Sequence, residues 1–132
     1  MTRALLLDTH VLLWALAQPR KLSPSARSLL SDRSIDLVVS AASAWEIATK
    51  HRIGKLPGAA GVIGDLDRHL DRLGAQHLSI TTAHALTAGL LDWDHRDPFD
   101  RMLAAQARLE QLSLMTIDPV FDERVELTVV PA

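Results

Sequence analysis

Leu5-Leu6-Leu7-Asp8-Thr9-His10-Val11-Leu12-Leu13-Trp14 is the stretch that decides the fold. With Ala4 before it, Leu5-Leu6-Leu7 is a continuous apolar run that stops at an acid. Such runs suit strands buried on both faces, as in parallel sheets. From Thr9 to Ala17 the chain carries Val11, Leu12, Leu13, Trp14 and Leu16, which predicts a buried helix, and Pro19 stops it. The junction therefore reads strand, acid, helix.

The same grammar continues outward. Ser23-Pro24 opens a second helix, with Ser23 as N-cap and Pro24 in the first helical position. Leu37-Val38-Val39 reads as a second strand. A helix is expected over Ala42–Ile53, ended by Gly54, and another over Val62–Leu73, closed by Gly74. Gln76–Ile80 is a third strand, Thr81–Leu91 an alanine-rich helix, and Asp97-Pro98 starts a helix running to about Glu110. Leu112–Thr116 and Leu127–Val130 supply strands four and five. Strands alternating with helices predict a three-layer α/β/α sandwich with a mostly parallel sheet. Residues 1–132 show no internal repeat, low-complexity tract or dividing linker, so a single domain is expected.

Composition removes several classes of function. There is no cysteine, hence no disulfide, thiolate nucleophile or zinc thiolate site. The formal net charge of -2 argues against a whole-surface electrostatic grip on nucleic acid, while leaving room for a local basic strip. The first apolar run is too short to span a bilayer and lacks a signal-peptide cleavage pattern, so a cytoplasmic location is expected and no membrane partner.

Four acids stand at strand ends or helix starts: Asp8, Glu46, Asp100 and Asp118. Each has a structural reading as a helix cap. Asp8 precedes the helix at Thr9, Ser43-Ala44-Trp45-Glu46 matches a capping box, Asp97-Pro98-Phe99-Asp100 looks similar, and Asp118 precedes a turn at Pro119. Together they suggest more, because an open parallel sheet collects strand carboxyl ends and helix N-termini on one edge, where ligands bind. Clustered carboxylates at ~5 Å in an effective dielectric near 20 repel by about 3 kcal/mol per pair. Such an arrangement persists when a hard cation binds or protons are taken up. Oxygen-only ligation favours Mg²⁺ or Mn²⁺, ions that commonly work on phosphate.

These residues carry a resemblance to a known family. Leu5 to Trp14 resembles the opening of PIN-domain toxins of the VapC type. Val39-Ser40-Ala41-Ala42-Ser43-Ala44-Trp45-Glu46-Ile47, followed by Gly54-Lys55-Leu56, resembles their second motif. His95-Arg96-Asp97-Pro98-Phe99-Asp100-Arg101 with Leu103-Ala104-Ala105-Gln106-Ala107 resembles the third, and Met115-Thr116-Ile117-Asp118 the fourth. The motifs stand in family order across nearly the whole chain. The resemblance implies a ribonuclease, the toxin of a toxin–antitoxin pair, leaving a 3′-hydroxyl and a 5′-phosphate. It implies Mg²⁺ or Mn²⁺ held by Asp8, Glu46, Asp100 and Asp118, with Asp122 competing for the fourth place. It also implies a VapB-like antitoxin that covers or perturbs the site, a homodimer and a toxin–antitoxin hetero-oligomer. A catalytically silent PIN-like module that binds RNA or protein is the competing reading.

Other residues near these motifs have their own expectations. Thr9 and Ser43 place hydroxyls beside the acids, as supports for ligands or, for Ser43, as a cap. Small Ala104, Ala105 and Ala107 would let their helix approach the sheet and hold Asp100 near Asp8. Lys50, Arg52, Lys55 and Arg101 are candidate phosphate contacts, although basic helix faces are usually just solvated and Arg101 could pair with an acid. His10 reads as a packed or hydrogen-bonded residue before a base, and His95 and Arg96 as loop residues before RNA contacts. Trp14, Trp45 and Trp93 could stack bases, but Trp14 and Trp45 lie on apolar helices, which favours packing. A haloacid dehalogenase-type phosphatase would need an acid two residues after Asp8, where His10 stands.

Overall fold

In the computed structural model, residues 3–121 and 126–132 are described. The strands are β1 (Arg3–Leu7), β2 (Ile35–Ser40), β3 (Ala75–Leu78), β4 (Ser113–Thr116) and β5 (Val129–Pro131). The helices are α1 (Thr9–Ala17), α2 (Pro24–Ser31), α3 (Ala41–Arg52), α4 (Ala60–Gly64), α5 (Leu66–Leu73), α6 (Thr82–Leu90) and α7 (Pro98–Leu109). The five strands form one sheet in the order β3-β2-β1-β4-β5, and every pairing is parallel. The expected mostly parallel sheet is thus wholly parallel among the described residues.

β1 sits at the centre, with Leu6 opposite Val38 on one side and Leu114 on the other. Alternate residues of the strands face opposite layers. Leu5, Leu7, Leu37 and Val39 pack with Val11 and Leu12 of α1, Ala26 of α2 and Leu70 of α5. Leu6, Val38 and Leu114 pack with Leu103, Ala104 and Ala107 of α7. Two apolar layers on one sheet explain why β1 reads as an unbroken Leu run. The alanines of α7 are fully or almost fully buried, so the helix lies close on the sheet as their size suggested.

Chain order creates a crevice. From β1 the chain moves outward through β2 to β3, then returns to the other side of β1 for β4 and β5. The carboxyl ends of β1 and β4 therefore adjoin where the winding reverses, the position at which open α/β sheets bind ligands.

Several local expectations need correction. The helix expected over Val62–Leu73 is two helices, broken at Asp65, whose φ of -131° and ψ of 32° leave the helical region. Gly74, with φ 75°, closes α5 in the left-handed conformation glycine allows. α3 begins at Ala41, and its cap is Ser40, which accepts a hydrogen bond from the Ala42 N–H at 2.9 Å. Ser43 is therefore buried inside the helix, not a cap, and the Ser43–Glu46 capping box is not formed. β3 is Ala75–Leu78 and β5 is Val129–Pro131, each displaced from its expected range.

Candidate metal centre

Asp8 lies where β1 ends and α1 begins. Its backbone N–H donates to the Met115 carbonyl at 3.0 Å, which ties this turn to β4. Its carboxylate is held from two directions. Oδ1 accepts from the Thr9 N–H at 2.7 Å, and Oδ2 accepts from the Thr116 hydroxyl at 2.6 Å. Asp8 thus caps α1 and also faces the crevice, so the two readings of this residue are compatible. Only 4% of it is exposed. Burial raises its pKa above the ordinary 3.8, and the charge of Glu46 adds to the rise. The Thr116 and Thr9 hydrogen bonds and the charge of His10 oppose it.

Glu46 projects from α3, with a side chain 5% exposed. Its Oε2 accepts from Lys50 Nζ at 2.5 Å, one helical turn on. Its Oε1 is buried without a hydrogen-bond partner among the described residues. A buried carboxylate oxygen left unpaired is costly and asks for a cation or donor. Beneath it, the Thr9 hydroxyl donates to Ser43 Oγ at 3.0 Å, which joins α1 to α3. The two predicted supporting hydroxyls therefore bond to each other.

Asp100 occupies the third position of α7, behind the Asp97 cap, whose Oδ1 accepts the N–H groups of Phe99 and Asp100. Its Oδ2 is bonded to His95 Nε2 at 2.6 Å. Burial pushes its pKa up to about 6, and the charges of Asp97, Asp8 and Glu46 push the same way. The His95 hydrogen bond opposes them. Asp8, Glu46 and Asp100 thus feel one another, and Asp97 joins them.

Asp118 follows β4, two residues after Thr116. It is exposed, its Oδ1 accepts from the Val120 N–H at 3.0 Å, and its own N–H donates to the Thr116 hydroxyl. Its structural role is the turn cap. Asp122, the competing fourth acid, lies outside the described residues.

Other expectations change as well. Arg101 does not present its guanidinium for phosphate or pair with an acid. It donates to the carbonyls of Ala88, Gly89, Leu91, Trp93 and His95, and so clamps the loop between α6 and α7. Lys50 is bound to Glu46, whereas Arg52 and Lys55 are exposed. Trp45 is 56% exposed, with Phe99 edge-on at 4.7 Å between ring centres, so it is not a core residue. Trp93 packs on His95 and Phe121. Thr116 and His95 are the hydrogen-bond partners of Asp8 and Asp100, contacts that sequence reasoning did not foresee. His95 lay in a recognised motif five residues before Asp100, but its partner is chosen by a loop whose path Arg101 sets. For Thr116 the signal was a hydroxyl at the end of a strand adjoining β1.

The donor set suits a hard divalent cation: every candidate ligand is oxygen, and one buried oxygen lacks a partner. No three His, Asp or Glu side chains among the described residues are gathered into a ready cage. Each acid instead rests on its own donor, Thr116, Lys50 or His95. The clefts lined by Leu86 and Leu90, by Asp65 and Asp71, and by Leu30 and Arg72 do not include these acids.

Comparison with known proteins points one way. A PIN-domain family model matches residues 5–127. Ribonuclease VapC16 of Mycobacterium tuberculosis (strain ATCC 25618 / H37Rv) is 38% identical over 58 residues, which are 44% of this chain and 41% of that protein. The match spans about two fifths of the curated relative's length. VapBC2 from Rickettsia felis, solved bound to a DNA fragment from its promoter, superposes with a TM-score of 0.71 at 17% identity, covering 97% of this chain and 98% of that one. FitAB bound to an IR36 DNA fragment gives 0.66 at 17% identity, with 96% and 94% covered. FitAcB from Neisseria gonorrhoeae gives 0.63 at 20% identity, with 95% of each chain covered. At such identities the structural likeness speaks for the fold.

Proposed function

This chain belongs to the PIN-domain family, and from that premise we propose that it is a metal-dependent endoribonuclease, the toxin of a VapBC-type module. The carrying observation is that Asp8, almost fully buried, stands at the carboxyl end of β1 where the sheet's winding reverses, held by Thr116 of β4, while Glu46 of α3 keeps a buried carboxylate oxygen without a partner among the described residues.

In this reading Asp8, Glu46 and Asp100 hold Mg²⁺ or Mn²⁺. When bound, the ion supplies positive charge that offsets the phosphodiester's and makes water a better nucleophile. The protein's own groups do the rest. Thr9 and Thr116 fix the rotamer of Asp8, so that its oxygens keep one direction. His95 would hold one oxygen of Asp100 and leave the other for the ion, and a carboxylate of the cluster would accept the proton of the attacking water. In-line attack would expel the 3′-oxygen, which takes a proton from solvent to leave a 3′-hydroxyl beside a 5′-phosphate. Exposed Arg52 and Lys55 extend from the C-terminal end of α3 and its following loop and contact backbone phosphates.

The partner follows from the same reading. VapC16 carries the name ribonuclease, and VapBC2 and FitAB were solved on DNA fragments. A VapB-like antitoxin, with homodimeric toxin in a hetero-oligomer, is the expected assembly here. No helix among the described residues is long and apolar enough to cross a membrane.

The test is cleavage of a defined RNA with Mn²⁺, comparing wild type with Asp8→Asn and sequencing the RNA ends. Metal-dependent cuts lost in Asp8→Asn support the proposal. Equal cutting by both proteins, or no cutting by wild type with Mn²⁺, supports the silent RNA- or protein-binding module instead.

A further inference from the structure

Lys50 ends one turn of α3 beyond Glu46, with its ammonium 2.5 Å from Glu46 Oε2. On most helices an i,i+4 Glu–Lys pair lies in water and contributes only a few tenths of a kcal/mol. This pair differs, because the Glu46 side chain is 5% exposed and its other oxygen is buried without a partner among the described residues. A carboxylate so placed needs a counter-charge at close range. The charges of Asp97 and Asp100 also reach the ammonium. Lys50 itself is 30% exposed, so its flexible stem has room to swing outward.

We propose that Lys50 is the resident counter-cation of the acid cluster: its ammonium competes with the divalent ion for Glu46 and so sets metal affinity. The proposal rests on the reading of these acids as a metal site. A divalent ion on Oε2 would meet the ammonium at close range, so Lys50 must leave or confine the ion to Oε1. Either way the two cations oppose each other, and the coupling is reciprocal. Lys50 is thus a positioning residue that holds Glu46 folded inward when no metal is present, and its ammonium becomes available to a phosphate when metal displaces it.

The experiment is calorimetric titration of metal-free protein with MnCl₂ at low ionic strength, accompanied by thermal melting without metal. Lys50→Gln should bind Mn²⁺ with a Kd smaller by at least about fivefold and melt lower when metal-free. Lys50→Arg should bind Mn²⁺ more weakly than wild type, since a guanidinium grips a carboxylate with two N–H groups. Arg20→Gln removes the same charge from an exposed position and should leave Kd near the wild-type value. An unchanged or larger Kd in Lys50→Gln, with wild type binding normally, overturns the proposal. Equal tightening by Arg20→Gln overturns it too, because net charge alone would then account for the effect. Should Lys50→Gln fail to fold, an unchanged or smaller Kd in Lys50→Arg is the refuting result. Absence of any Mn²⁺ binding by wild type refutes the metal site itself, and this proposal with it.

Discussion

Replacing Asp100 with asparagine should change how the metal-free protein's stability depends on pH. In the folded protein the Asp100 carboxyl titrates at about 6, raised first by burial and then by the charges of Asp97, Asp8 and Glu46, against an ordinary 3.8. The folded state therefore holds this proton more tightly than the unfolded chain. The resulting stabilisation is fully present below 3.8 and is lost as pH rises through about 6. At 1.36 kcal/mol per pH unit, the ionised carboxylate destabilises the fold at neutral pH by at most about 3 kcal/mol. Asp100 keeps 14% of its side chain exposed, and solvent screening reduces the effect to about 1–2 kcal/mol. For a domain of this size that is roughly 4–7 °C in Tm. The proton step belongs to the coupled acids and not to Asp100 alone, so the informative quantity is a difference between two proteins. Urea unfolding in EDTA at pH 4.5 and at pH 7.5, for wild type and Asp100→Asn, supplies it. The variant should gain on wild type as pH rises. His95 can still donate to the asparagine carbonyl, so the gain is electrostatic. A difference that stays constant from pH 4.5 to 7.5, or shrinks, refutes the claim that Asp100 is ionised at a cost.

Three further outcomes are expected. Asp8→Asn should raise the metal-free Tm at neutral pH and abolish most of the shift Mn²⁺ gives wild type, which is about 2.7 kcal/mol at a hundredfold excess over Kd; equal Mn²⁺ shifts in both proteins would remove Asp8 from the site. Arg101→Met should destabilise by about 2–4 kcal/mol in urea, because five carbonyls, two in the last turn of α6 and three in the loop after it, lose their donor; normal stability with weakened RNA binding would restore the phosphate-contact reading. Trp45→Ala should change stability by no more than about 0.5 kcal/mol, since the ring is mostly exposed, yet weaken binding of single-stranded RNA by about 1–3 kcal/mol, measured by fluorescence anisotropy; unaltered affinity would leave the ring for a protein partner.

The elements around Asp8 were legible because their signals are local. A Leu run, an acid and a helical pattern within fourteen residues set β1, the cap and α1, and the structure places α1 at Thr9–Ala17 as read. Asp97-Pro98 marked the start of α7 for the same reason. Local signals failed where two were available. Ser40 and Ser43 both precede helical residues, and only the backbone turn at Ser40, with φ -78° and ψ 146°, selected the cap. In the helix expected over Val62–Leu73, the apolar pattern ran through Asp65 and gave no sign of the break.

By itself the sequence determined the alternation of strands and helices, and with it the placement of Asp8 and Asp100 at helix starts, whereas Glu46, expected at a helix start, lies inside α3. Strand period, helix period and capping act over a few residues, so they are written in the chain's order. Only the tertiary structure decided what each acid touches. Thr116 reaches Asp8 across 108 positions because β4 lies beside β1. Arg101 turns to the end of α6 and the loop after it because five carbonyls converge there, and Asp118 caps its own turn through the Val120 N–H. Those choices depend on strand order and on which donor arrives first in three dimensions, and neither has a signature in local sequence.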